Sequence, residues 1–226
     1  EETEMGLEPI IASLIERSFN ERWFREPSFR RLNDHYLRYV KQKRVSPFKA
    51  EIAQFFANSS VEPLEFYNEE IDLFRQLFSK HISGIITTNY DTFLESMAPE
   101  YNVYIGQEQL VFSPIQGIAE IYKIHGCVTR PEEIVINHKD YLDFHNKSAY
   151  LAAKLMTIFV EGPIIFIGYS LSDPNIQTIL QSIVDCLSET NLAQLQDRFI
   201  FVDYSTTPNT LNVSPSTLLF SGNRKS

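Results

Sequence analysis

From Ile82 onward the chain alternates short apolar, β-branched runs with stretches of helical periodicity, and this alternation limits the fold more than any other feature. The runs that read as strands are Ile82–Thr87, Tyr101–Ile105, Ile121–His125, Pro163–Gly168 and Arg198–Asp203. Helical spacing is found between them at Asp91–Met97, Lys147–Val160 and Asp173–Leu187. Short, nearly all-apolar strands separated by helices predict an α/β fold: a parallel sheet buried on both faces by helices. A hairpin or extra strand is expected around Glu133–Asn137, followed by a turn of helix at Lys139–Phe144.

The first eighty residues read differently. Ile10, Ile11, Leu14, Ile15 and Phe19 recur at helical spacing within Leu7–Phe19. Phe29, Leu32, Tyr36, Leu37 and Val40 predict a second helix, Pro47 opens a third, and Asn68-Glu69-Glu70 opens a fourth. The basic residues Arg30, Arg31, Arg38, Lys41, Lys43 and Arg44 lie on or just after the second helix, where a solvated face accounts for them. From Thr206 onward, Thr-Thr-Pro-Asn-Thr and Ser-Pro-Ser-Thr read as loop or linker toward a further C-terminal region. The chain is expected to be a piece of a longer protein.

Composition narrows the function classes. The formal net charge of −9 disfavours direct nucleic-acid binding by this domain. No apolar run is long enough to span a bilayer, so no membrane association is expected. Two cysteines without a CxxC point to a reducing, cytoplasmic setting and away from a cysteine zinc site. His138 and His145 lie seven apart with no further ligand cluster, and no metal is expected.

Three strand ends carry polar clusters: Thr87-Thr88-Asn89-Tyr90-Asp91, Lys123-Ile124-His125-Gly126-Cys127 and Gly168-Tyr169-Ser170-Leu171-Ser172-Asp173. In a parallel sheet all three open on the carboxyl edge, where α/β folds bind ligands. His125 can take a proton near neutral pH or serve as a hydrogen-bonded structural residue, and Gly126 permits close backbone approach. Asp91 and Asp173 can each cap the adjoining helix or face a ligand. The free N–H groups of the helix opening at Asp173-Pro174 favour an anionic group, with Ser170 as a donor to ribose or phosphate. No GxGxxG, GxSxG or Walker-type loop is present.

In order and spacing these clusters resemble the sirtuin-like NAD-hydrolase domains of prokaryotic antiphage defence proteins, and Glu133–Phe144 resembles that family's stretch after the histidine. The resemblance covers about Ile82 to Tyr204. The family's first strand and Gly-Ala-Gly phosphate loop are not visible, and Glu4–Leu14 is similar to the segment just after that loop. The resemblance implies a Rossmann-type, sirtuin-like domain over residues 1–205, with a helical insertion at about 27–80 and a sheet core at 82–204. It implies an NAD+ glycohydrolase that cleaves the nicotinamide–ribose bond, with NAD as substrate, as the NAD-depleting effector of a defence system. Asn89 then positions the ribose or the attacking water, and His125 is the general base. Asp91 lies by the nicotinamide, with Thr87 and Thr88 beside it. Gly168, Tyr169 and Ser170 form the loop at the adenosine ribose, with Asp173 next to them. A homo-oligomer and a sensor or activator, as a domain or a partner protein, are implied as well.

The alternatives are a non-catalytic NAD or ADP-ribose binding module and an NAD-dependent protein deacylase. Deacylases of this fold carry paired CxxC motifs that this chain lacks. His125→Ala is expected to stop turnover with folding largely intact, because a strand-end side chain contributes little packing.

Overall fold

The computed structural model describes residues 7–59, 67–111, 118–167, 174–188, 190–192, 198–202 and 213–215. These form two compact units, 1–144 and 145–226.

The first unit opens with four helices: α1 (Leu7–Arg25), α2 (Asp34–Lys43), α3 (Pro47–Asn58) and α4 (Asn68–His81). A 3-10 turn at Pro27–Phe29 separates α1 from α2, where Pro27 removes a donor and fixes φ. Asn33 caps α2 by accepting from the Tyr36 N–H, and Pro47 occupies the first turn of α3. Helix α1 departs from its periodicity. Leu7, Ile10, Ile11, Leu14 and Ile15 are exposed, while the helix buries Pro9 and Trp23. Phe19 packs on Phe29 and Phe48, with ring centroids 5.0 and 5.6 Å away.

Strands β1 (Gly84–Thr87), β2 (Asn102–Ile105) and β3 (Glu120–Lys123) then form a parallel sheet in the order β1-β3-β2. Helices α5 (Phe93–Met97) and α6 (Gly106–Val111) lie in the connections, as parallel pairing requires a crossover. The register pairs Ile85 and Val103 with Ile121, which places these three on one face of the sheet. There they pack with Phe78 of α4, Leu94 of α5, Ala98 and Tyr101. The other face carries Tyr104 and Tyr122, stacked with centroids 5.8 Å apart, and the Tyr122 hydroxyl donates to buried Glu120.

The expected hairpin at Glu133–Asn137 is not formed. Pro131–Glu133 is a 3-10 turn, and Ile134–Ile136 runs on outside any ladder toward α7 (His138–Glu161). The Asn137 side chain accepts from the Asp140 N–H at 2.9 Å, and the Asp140 carboxylate accepts from the Ile136 and Asn137 N–H groups at 3.1 Å. This reciprocal cap starts the helix. Lys49 of α3 holds the other Asp140 oxygen at 2.6 Å. Asn137→Ala is expected to lower stability by about 1 kcal/mol, measured by urea denaturation.

The two helical stretches expected at Lys139–Phe144 and Lys147–Val160 belong to the single helix α7. In the second unit, β4 (Ile164–Ile167) and β5 (Phe199–Val202) pair in parallel, with α8 (Pro174–Cys186) between them in sequence. The stretch expected as linker contains a short strand, β6 (Val213–Pro215), antiparallel to β5. Phe159, Phe166 and Phe199 form a cluster of edge-on rings 5.4–6.5 Å apart.

Candidate active site

The register fixes which residues reach the carboxyl edge of the first sheet. Thr87, Ile105 and Lys123 are paired across its three strands, so all three strands end level. Asn89 therefore leaves β1 and His125 leaves β3 two residues beyond the same pairing row. The two loops stay attached beyond the strands: the Ile124 N–H donates to the Thr87 carbonyl at 3.1 Å, and the Val128 N–H to the Tyr90 carbonyl at 2.9 Å.

In the first loop, Thr87 Oγ1 accepts from the Asn89 N–H at 3.1 Å, an ST-turn that sets the direction of the loop. The Asn89 side chain is exposed, and Thr88 is partly buried. Asp91 Oδ1 accepts from the Phe93 N–H at 2.9 Å and so satisfies a donor at the start of α5. Tyr90 turns away from solvent, stacks edge-on with Phe56, and donates to the Val135 carbonyl at 2.6 Å.

His125 is 3% exposed. Its ring meets Tyr141 and Phe144 of α7 edge to face, at 5.7 and 5.4 Å between centroids. This overturns the expectation that its side chain packs little. The space beside Gly126 is also occupied. Gly126 has φ +93°, and a Cβ there would stand 2.4 Å from the Glu133 carbonyl oxygen. The close approach expected of a ligand is made instead by the chain's own Glu133–Ile134 backbone. The Val135 N–H completes this contact by donating to the His125 carbonyl at 3.0 Å. Segment 133–136 thus lies along the edge of the sheet, pinned by His125, Gly126 and Tyr90.

Helices α2 and α3 cover this segment. Tyr36, Ala50 and Ala53 share one buried cluster with Cys127, Val128 and Ile134. The Tyr36 and Tyr39 hydroxyls donate to the Val128 and Thr129 carbonyls at 3.4 and 3.0 Å. Burial pushes the Tyr36 hydroxyl above its usual pKa, so it remains a donor at neutral pH.

A buried ion pair was not anticipated. Lys123 is 1% exposed, its Nζ stands 2.9 Å from Glu95 Oε1, and it also donates to the Asp91 carbonyl. The sequence signal was a lysine directly beside the apolar residues Ile121, Tyr122 and Ile124 of a buried strand, where such a charge requires a partner. Of the remaining expected site residues, Gly168, Tyr169, Ser170 and Asp173 lie outside the described residues.

Similarity to known proteins bears on this geometry. A family model described as "SIR2-like domain" matches residues 83–215, more than half of the chain. This chain belongs to the SIR2-like family. Its match spans all six strands and both polar strand ends described above. The chain is similar to a protein named NAD(+) hydrolase ThsA from Bacillus cereus (strain MSX-D12), at 33% identity over 43% of this chain and 21% of that protein. A protein of the same name from Cytobacillus dafuensis is 31% identical over 43% of this chain and 20% of its own length. Defense-associated sirtuin 2 of Bacillus subtilis is 29% identical over 46% of this chain and 11% of its own length. The matched region is thus at most about a fifth of these curated relatives. The resemblance of the chain to sirtuin-like defence domains is borne out, as is the Rossmann-type α/β fold. Among the described residues of this SIR2-like chain, no group of three His, Cys, Asp or Glu side chains is placed to hold a metal ion, and no helix is long and apolar enough to cross a membrane.

Proposed function

We propose that this SIR2-like chain is an NAD+ glycohydrolase, the NAD-depleting effector of an antiphage defence system. The observation that carries the reading is the level exit of Asn89 and His125 from neighbouring strands at the carboxyl edge, in a chain similar to proteins named NAD(+) hydrolase. In the reaction, the bond between ribose C1′ and the nicotinamide nitrogen breaks and its electron pair leaves with nicotinamide. A water oxygen bonds to C1′, and the water's proton passes to the His125 imidazole. The Asn89 amide, exposed at the rim, orients the ribose or the water and stabilises the charge that develops on the sugar. The family resemblance assigns Asp91, Thr87 and Thr88 to the nicotinamide side and Gly168, Tyr169, Ser170 and Asp173 to the adenosine half. The exposed apolar stripe on α1 supports a homo-oligomer, and a sensor domain or partner protein supplies the trigger in the cytoplasm.

The test is incubation of the full-length protein with NAD and detection of free nicotinamide under activating conditions. Asn89→Ala is expected to reduce release by about 100-fold with an unchanged denaturation midpoint, because the side chain it removes is exposed. Normal cleavage by that variant would exclude the positioning role. The burial of His125 favours one second reading, a module that binds NAD or ADP-ribose without turnover. Saturable NAD binding with no nicotinamide release would establish it.

A further inference from the structure

We propose that Lys123 is a positioning residue for the reaction proposed above: its buried ammonium fixes the Thr88–Thr92 loop, and with it Asn89, against the His125 turn. The inference rests on the glycohydrolase reading for its kinetic consequence and on the geometry of the two loops for its structural one.

Pairing with the Ile121 face aims Lys123 at α5, because residues two apart on a strand share a face. At 1% exposure the side chain does not face solvent. Its Nζ instead bonds to two points of the first loop and its helix, the Asp91 carbonyl and Glu95 Oε1. The same Glu95 oxygen receives the Cys127 thiol at 3.9 Å, from the turn directly after His125. One carboxylate and one ammonium therefore touch both loops that carry the reacting groups. The backbone bonds Ile124–Thr87 and Val128–Tyr90 tie the loop at two points that flank Asn89, and Lys123 ties it at Asp91, where the chain turns into α5. Asn89 is held from both sides.

A buried ion pair is a poor source of net stability, because desolvation offsets most of its Coulomb attraction. What it does supply is a single geometry: a short ammonium–carboxylate contact permits few alternative loop arrangements. Glu95 Oε2 is buried with no hydrogen-bond partner among the described residues, so Oε1 alone carries the contacts to Lys123 and Cys127.

The experiment compares Lys123→Met with the double variant Lys123→Met/Glu95→Leu in the full-length protein. The single change strands a buried carboxylate and is expected to destabilise the fold. The double change removes both charges and is expected to keep the parent's melting temperature. In the folded double variant, amide hydrogen exchange across Thr88–Thr92 is expected to quicken by about 10-fold. The kcat for nicotinamide release is expected to fall by about 10-fold or more while KM stays near the parent's. A folded double variant with the parent's kcat, or with the parent's exchange at Thr88–Thr92, overturns the proposal. Unfolding of both variants also overturns it, since the pair would then determine the fold and not the loop. If the parent itself releases no nicotinamide, the glycohydrolase reading fails, and the exchange measurement alone decides what Lys123 holds.

Discussion

His125→Ala is expected to reduce nicotinamide release by about 10²–10⁴-fold, the usual loss when a general base is removed. The structure adds a second cost. The imidazole fills a site between the Tyr141 and Phe144 rings, so truncation leaves a cavity and lowers stability by about 2 kcal/mol. The two effects separate cleanly. His125→Gln preserves much of the volume and should keep a denaturation midpoint near the parent's, yet it supplies no base and should be as inactive as the alanine variant. Nicotinamide release at parental rate by folded His125→Gln would eliminate the imidazole as the proton acceptor.

Gly126→Ala is expected to lower stability by about 4 kcal/mol. The backbone there has φ +93°, which strains any L side chain, and the added carbon would lie 2.4 Å from the Glu133 carbonyl oxygen and 2.8 Å from the Ile134 Cα. Those neighbours are backbone and cannot rotate away. Gly106 offers an internal control. It also has positive φ, at +71°, but its added carbon would meet the Glu133 side-chain carboxylate, which can swing aside. Gly106→Ala is therefore expected to cost about 1–2 kcal/mol, and urea titrations of the two variants should differ clearly. Equal midpoints would mean that the Glu133–Ile134 backbone does not rest on Gly126.

The strands were legible because Ile85-Ile86, Ile121 and Ile164–Ile167 sit in short β-branched runs bounded by polar or turn residues. Their order was not. Nothing local says that β3 inserts between β1 and β2, since neighbour choice depends on the crossovers. Ile134-Val135-Ile136 has the composition of a strand, but Val135 meets the sheet edge through its N–H to the His125 carbonyl and its carbonyl to the Tyr90 hydroxyl, and the Asn137–Asp140 cap immediately turns the chain into α7. Helix α6 was missed because it opens on a glycine, and the nearby Ile105 N–H is met by the Gln109 side chain. The placement of Asn89 and His125 just beyond their strand ends was legible from the apolar runs that precede them. The burial of His125 was not, because its cover comes from α7, sixteen and more residues downstream.

The shared cluster of Tyr36, Ala50 and Ala53 with Cys127, Val128 and Ile134 ties the fate of the amino-terminal helices to that of the histidine turn. Damage far upstream, such as a bulky replacement at Ala50 or Ala53, should masquerade as a chemical defect, lowering the proposed NAD cleavage without altering any side chain of the proposed site. Conversely, whatever grips those helices from outside would hold a lever on turnover.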